Sequence, residues 1–120
     1  MPLENFKAWI FNEEIDTPSE INQMIRGDEK VFKSFKTVRD VASFTDKRLI
    51  VIDSQGLTGK KKEIYSLPYK SVLMWSTENS GRLDLTSEVQ LWTRMGTIKI
   101  NLAKNINVRE FDLLLQEVCL

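Results

Sequence analysis

The run Gly56-Leu57-Thr58-Gly59-Lys60-Lys61-Lys62 has the residue types of an anion site. Glycines let backbone N–H groups approach a phosphate, and lysines supply positive charge. A P-loop, however, needs four residues between its glycines, then Lys and Ser or Thr at a helix start. Here two residues separate the glycines, Lys61 follows Lys60, and a strand pattern comes next. The P-loop reading fails on spacing and context. The two-residue gap is also that of the K-homology nucleic-acid loop, but that loop joins two helices. Two readings remain. One is a hairpin turn whose glycines accept positive φ, followed by solvated lysines. The other is an anion or head-group site built from Lys60, Lys61 and Lys62 with Lys47 and Arg48.

Thr45-Asp46-Lys47-Arg48 offers a second cluster. Thr and Asp favour a tight turn through local side-chain to backbone hydrogen bonds. Arg48 can then pair with a carboxylate across the sheet. Glu13-Glu14 with Asp16, and Asp28-Glu29, gather carboxylates, but neither group has calcium-ligand spacing. Solvated caps explain both, and no metal is expected.

Trp9, Trp75 and Trp92 are candidates for an aromatic contact surface. Trp92 falls on the opposite side of its strand from Val89 and Leu91. If those two face the core, Trp92 faces outward or into an interface, a favourable use of a large amphipathic ring. Phe6, Trp9 and Trp92 are the expected interface residues, with core packing as the alternative.

The chain has no histidine. That removes the usual general base, the commonest metal ligand and every Ser-His or Cys-His pair. Neither an enzyme nor a cofactor site is expected. Lys and Arg (17) balance Asp and Glu (17), giving zero formal charge. A nucleic-acid binder normally carries a basic excess, so nucleic acid is not an expected partner. The single cysteine, Cys119, cannot form an intramolecular disulfide and points to a reducing compartment. No basic region precedes a long apolar run at the N-terminus, and no apolar run is long enough to span a membrane. These features together suggest a cytoplasmic protein.

These residues must be carried by one domain, since 120 residues is one domain's length. Leu3, Phe6 and Ile10 have helical spacing, predicting a short amphipathic helix over Leu3 to Glu14. Thr17-Pro18-Ser19-Glu20 is a capping-box start, and Gly27 a helix stop. The period then changes. Strands are expected at 31–36, 38–44, 49–52, 62–67, 72–77, 88–93 and 98–102. Leu49-Ile50-Val51-Ile52 is a continuous apolar run, as for a strand covered on both faces. Val89, Leu91 and Thr93 alternate, as do Ile98, Ile100 and Leu102. Asn107 caps a final helix whose apolar face is Val108, Phe111, Leu114, Leu115 and Val118, with Leu113 at its margin. Strands in a run with a terminal helix mean an antiparallel sheet or barrel.

In combination, Val38-Arg39-Asp40, Phe44-Thr45-Asp46-Lys47-Arg48-Leu49-Ile50, Gln55-Gly56-Leu57-Thr58-Gly59-Lys60-Lys61 and Ser66-Leu67-Pro68-Tyr69-Lys70-Ser71 resemble the bacterial pleckstrin-homology (PH) domain proteins. Glu78, Gly81, Asp84-Leu85 and Glu88-Val89 continue the resemblance, which runs from about Gly27 to the C-terminus. It implies a mainly β, PH-like fold: a seven-stranded, bent antiparallel barrel capped by a C-terminal α-helix. The expected division is a helical N-terminal extension over 1–26 and the barrel over 27–120. The resemblance also implies a self-assembling homo-oligomer able to form rings. From eukaryotic relatives it carries an expectation of lipid head-group contact near Lys33, Lys36 and Arg39. The expected function is a non-enzymatic, self-assembling module that presents a surface to a protein partner. The alternative is a binder of anionic lipid head groups or phosphorylated small ligands through the basic turn.

Overall fold

The computed structural model describes residues 5–55, 60–79 and 86–120 and, of residues 5, 6 and 55, the backbone alone. The Gly56–Gly59 turn, Gly81, Asp84-Leu85 and the Phe6 side chain therefore lie outside the described residues. The elements in order are β1 (Asn5–Phe11), β2 (Glu13–Ile15), α1 (Ser19–Met24), β3 (Val31–Lys36), β4 (Val41–Thr45), β5 (Arg48–Gln55), β6 (Lys61–Pro68), a 3₁₀ turn (Tyr69–Ser71), β7 (Val72–Glu78), β8 (Ser87–Thr93), β9 (Gly96–Leu102) and α2 (Val108–Cys119).

Strands β3 to β9 are the expected antiparallel run, and α2 follows them. They form two sheets, ordered β2-β3-β4-β5-β6 and β1-β9-β8-β7. The inward faces make one core. Phe11, Phe35, Phe44 and Phe111 meet at its centre, with ring centroids 5.3 to 6.4 Å apart in stacked, tilted and edge-on pairs. Aromatic pairs in such offset geometries add about 0.5–1.5 kcal/mol each beyond burial. Val89, Leu91, Ile98, Ile100 and Leu102 fill the β8–β9 side, and Phe111, Leu114 and Leu115 of α2 close the end. Asn107 caps α2, its Oδ1 accepting from the backbone N–H groups of Arg109 (2.9 Å) and Glu110 (3.1 Å).

The run Leu49-Ile50-Val51-Ile52 is buried on both faces, for two different reasons. Leu49 and Val51 point into the main core. Ile50 and Ile52 point outward and are covered by Ile21 of α1, with Met24, Ile25, Val31 and Val41 around them. Burying one such isoleucine stabilises by about 1.5–3 kcal/mol. The helix at 19–24 thus packs on its own barrel, as a second small core.

The N-terminal segment differs from the helix its spacing suggested. Of the stretch Leu3 to Glu14, the described residues, from Asn5 on, form no helix but strand β1 and the start of β2. Trp9 and Phe11 are buried while Ala8 and Ile10 are exposed, a period of two. The cause is pairing with distant parts of the chain. Strand β1 runs parallel to β9, from Lys7↔Ile98 to Phe11↔Leu102, and β2 pairs antiparallel with β3. Asn12 is the corner between them, its N–H donating to Lys36 O at 2.7 Å. Residues 5–15 therefore extend both sheets.

Three smaller expectations also change. The helix α1 begins one residue after Pro18 without a side-chain cap. Thr17 instead accepts the Ser34 hydroxyl at 3.4 Å. It ends at Met24 rather than at Gly27, because Ile25 turns extended to join the cover over Ile50 and Ile52. Strand β4 starts at Val41, not Val38. Residues 37–40 form a turn closed by Thr37 N–H to Asp40 O (2.9 Å) and Asp40 N–H to Thr37 Oγ1 (3.0 Å).

Candidate functional site

Three of the five cations that spelled a possible anion site, Lys47, Arg48 and Lys62, are spoken for by carboxylates of the same chain. The β4–β5 turn shows this best. Thr45 Oγ1 accepts the N–H groups of Lys47 and Arg48, each at 3.0 Å, which is the local turn chemistry its sequence suggested. The turn aims Arg48 at Glu29, which closes the 26–29 turn by accepting Arg26 N–H at 3.2 Å. Arg48 donates Nε to Glu29 Oε2 (3.0 Å) and Nη2 to Oε1 (3.2 Å), a two-point grip. Thr45 Oγ1 donates to the same carboxylate at 2.7 Å. Burial alone would raise the Glu29 carboxyl. The hydrogen bonds from Arg48, Thr45 and the Arg26 backbone, with the Arg48 charge, outweigh it and hold the group at about 2. Behind this cluster, Tyr69 Oη reaches the carbonyls of Thr45 (2.6 Å) and Arg48 (2.8 Å). Burial pushes its phenol well above the usual range.

Lys47 lies 3.8 Å from Asp28. Lys62 reaches Glu20 of α1 at 3.1 Å and Asp40 at 3.7 Å, and Glu20 and Asp40 hold its ammonium pKa above the ordinary value. Asp40 also accepts the Ser54 hydroxyl. Lys60 and Lys61 are exposed. Lys47, Arg48, Lys60, Lys61 and Lys62 therefore do not converge on one point: Arg48 lies under the helix-side turn, and Lys62 ties β6 to α1. Two of the acidic candidates are paired too, Glu14 with Lys33 at 3.4 Å and Asp28 with Arg26 at 3.4 Å. The Cys119 thiol is half-buried, and burial raises it to about 11, so it is a poor nucleophile at neutral pH.

The three tryptophans have different surroundings. Trp9 is in the core, edge-on to Tyr65 with centroids 5.8 Å apart. Trp75 donates its indole N–H to Asp112 of α2 at 2.8 Å, which fixes the helix against β7. Trp92 alone is on the outer face of its sheet, beside Met74 on one strand and Thr97 on the other. That outer face has no helix over it among the described residues.

Two features were not legible beforehand. First, β6 and β7 end their sheets, and no strand of the described residues pairs with their outer edges. Strand β6 begins with Lys61, Lys62 and Glu63, charges of the kind that discourage edge pairing. Strand β7 has no charge before Glu78, and Leu73 (58% exposed) and Met74 (54%) are bare. Second, a trough runs between β3 and α2. Two adjoining cavities of ≈ 90 and ≈ 340 Å³ share Lys33 and Glu110. Phe32 (43% exposed), Leu113 (61%) and Leu114 give the larger one an apolar floor. The signal for the trough was Leu113, out of line with the helix's buried face. Nothing local marked the edges, which depend on strand order.

Against known proteins, the family profile described as bacterial PH domain matches residues 3–119. The uncharacterized protein YjqA of Bacillus subtilis is 40% identical over 104 residues, covering 84% of this chain and 83% of that protein. The uncharacterized protein YozO of the same organism is 29% identical over 87 residues, covering 72% and 75%. A duf1696 family protein with a pleckstrin-homology domain from Shewanella loihica superposes with a TM-score of 0.80 at 29% identity, covering 89% of this chain and 96% of that one. A pleckstrin homology domain from Shewanella amazonensis gives 0.68 at 32% identity, covering 85% and 84%.

Proposed function

This chain belongs to the bacterial PH domain family, and we propose that it is a non-enzymatic, self-assembling interaction module. Its assembly surface is the open edge of β7 with the adjoining Met74–Trp92 pair. The observation that carries this reading is the unguarded edge. A seven-residue strand exposes unpaired N–H and C=O groups with Leu73 and Met74 beside them. Natural sheets blunt such edges with lysine, proline or a bulge unless something covers them. Strand β6 carries lysines at its start, whereas β7 has no lysine or proline along its length and only a register break between Val72 and Met74.

The partner edge in this reading is β6 of a second copy. Its Lys61 repels a second β6 edge but complements Glu78 of β7, and its exposed Ile64 meets Leu73. Joining two different edges is head-to-tail, so it closes into a ring or extends as a filament depending on the rotation per subunit. Light scattering behind size exclusion, for the wild type and for Leu73→Lys with Met74→Lys, tests it. With Lys47, Arg48 and Lys62 held in ion pairs, the anion-binding reading is the weaker one.

A further inference from the structure

We propose that the trough between β3 and α2 docks an extended segment of a partner protein, apolar in its middle and carrying a lysine or arginine at each end. This rests on reading the chain as an interaction module, but not on its self-assembly. Three observations define the occupant. The floor is apolar: Phe32, Leu113 and Leu114 line the larger cavity. The walls are acidic: Glu14, Glu110 and Glu117 face the two cavities against Lys33 alone, and Lys33 is already paired with Glu14. The neighbouring backbone is open: pairing of β2 with β3 ends at Ile15↔Ser34. Phe32 sits at a register break in the β3–β4 ladder. No strand of the described residues adds to Val31–Lys33 on the β2 side.

The spacing of the walls sets the spacing in the ligand. Glu110 and Glu117 are two helical turns apart, about 10 Å along the axis. In an extended chain every second side chain faces the same way, so the same-face spacing that spans this distance is four residues, about 13 Å, a difference that flexible lysine stems absorb. The fitting segment therefore has two cations four positions apart with large apolar side chains between them. An acidic segment of the same shape meets like charge and is rejected.

The test is a titration of the isotopically labelled full chain with a short synthetic peptide centred on Lys-Leu-Phe-Leu-Lys, followed by NMR. A peptide centred on Glu-Leu-Phe-Leu-Glu is the control. The lysine peptide should move the amide signals of Phe32, Lys33, Leu113 and Glu117, and the glutamate peptide should not. Glu110→Gln with Glu117→Lys, and separately Leu113→Ser, should each weaken binding roughly tenfold. All three positions are exposed, so the fold is retained, as unchanged signal dispersion will show. Equal response to both peptides, shifts confined to other surfaces, or indifference to these variants would overturn the proposal. So would movement of the same signals on concentrating the protein alone, which would make a second copy the occupant. A monomer that binds the lysine peptide here would sink self-assembly and leave the trough standing.

Discussion

Arg48 grips both oxygens of Glu29, at 3.0 and 3.2 Å, and the Glu29 side chain is only 1% exposed beneath it. The pair joins the turn after α1 to the start of β5. It is the point where the outer helix, the β4–β5 turn and, through Tyr69, the way into β7 are tied together. A pair held this way is costly to break from one side, because the other charge is left buried. Glu29→Gln or Arg48→Met should each lower stability by about 3–5 kcal/mol in denaturant titrations. The double variant should lose much less than the sum. Additive losses would mean that the two side chains do not act as a unit.

Acid stability follows from the same carboxylate. Its folded pKa of about 2 lies below the ordinary value of 4.5. A depressed folded pKa contributes stability that is fully present above the unfolded value. That stability is lost as pH falls through the folded value. The expected contribution is about 3 kcal/mol above pH 5, declining between roughly pH 4.5 and 2. Melting curves across that window should be shallower for Glu29→Gln. Parallel wild-type and variant profiles would contradict this.

The link between Trp75 and Asp112 predicts how α2 is held. Asp112 accepts the indole N–H and the Gln116 side-chain amide, each at 2.8 Å. Asp112→Ala should cost about 1–2 kcal/mol and shift the tryptophan emission. An unchanged melting point with unchanged emission would show that the packing of Phe111 and Leu115 holds the helix alone.

Lipid contact is the reading that the ion pairs argue against. The wild-type chain should not co-sediment with phosphatidylserine-containing vesicles at physiological salt. Changing Lys60, Lys61 and Lys62 together to Glu should leave the unsedimented fraction the same. Sedimentation that the triple variant abolishes would restore the basic turn as an anion site.

How much of this could be read from the sequence depended on whether its cause was local. The alternation in Val89-Gln90-Leu91 and Ile98-Lys99-Ile100 reports a half-buried face directly, and Asn107 carries its own cap, so β8, β9 and α2 were legible. The Leu49–Ile52 run announced cover on both faces, though not that α1 provides it. The segment around Trp9 was misread because helical and strand spacing both fit so short a stretch. Only pairing with β9, about 90 residues on, decides between them. The pairing of Glu29 with Arg48 was anticipated only as some carboxylate across the sheet. The bare β7 edge is a relation between elements that no local pattern encodes, and the trough had one local sign, Leu113 out of line with the buried face of α2.

The central claim is self-assembly through β7, and the most direct measurement is mass in solution at a concentration on the order of tens of micromolar. The chain mass is 13.9 kDa. Light scattering behind size exclusion should give a multiple of that mass for the wild type. It should give the single-chain mass for Leu73→Lys with Met74→Lys, whose side chains are exposed and whose fold should persist by circular dichroism. A wild type of 13.9 kDa under those conditions would contradict the account, as would an assembly that the doubly charged edge leaves intact.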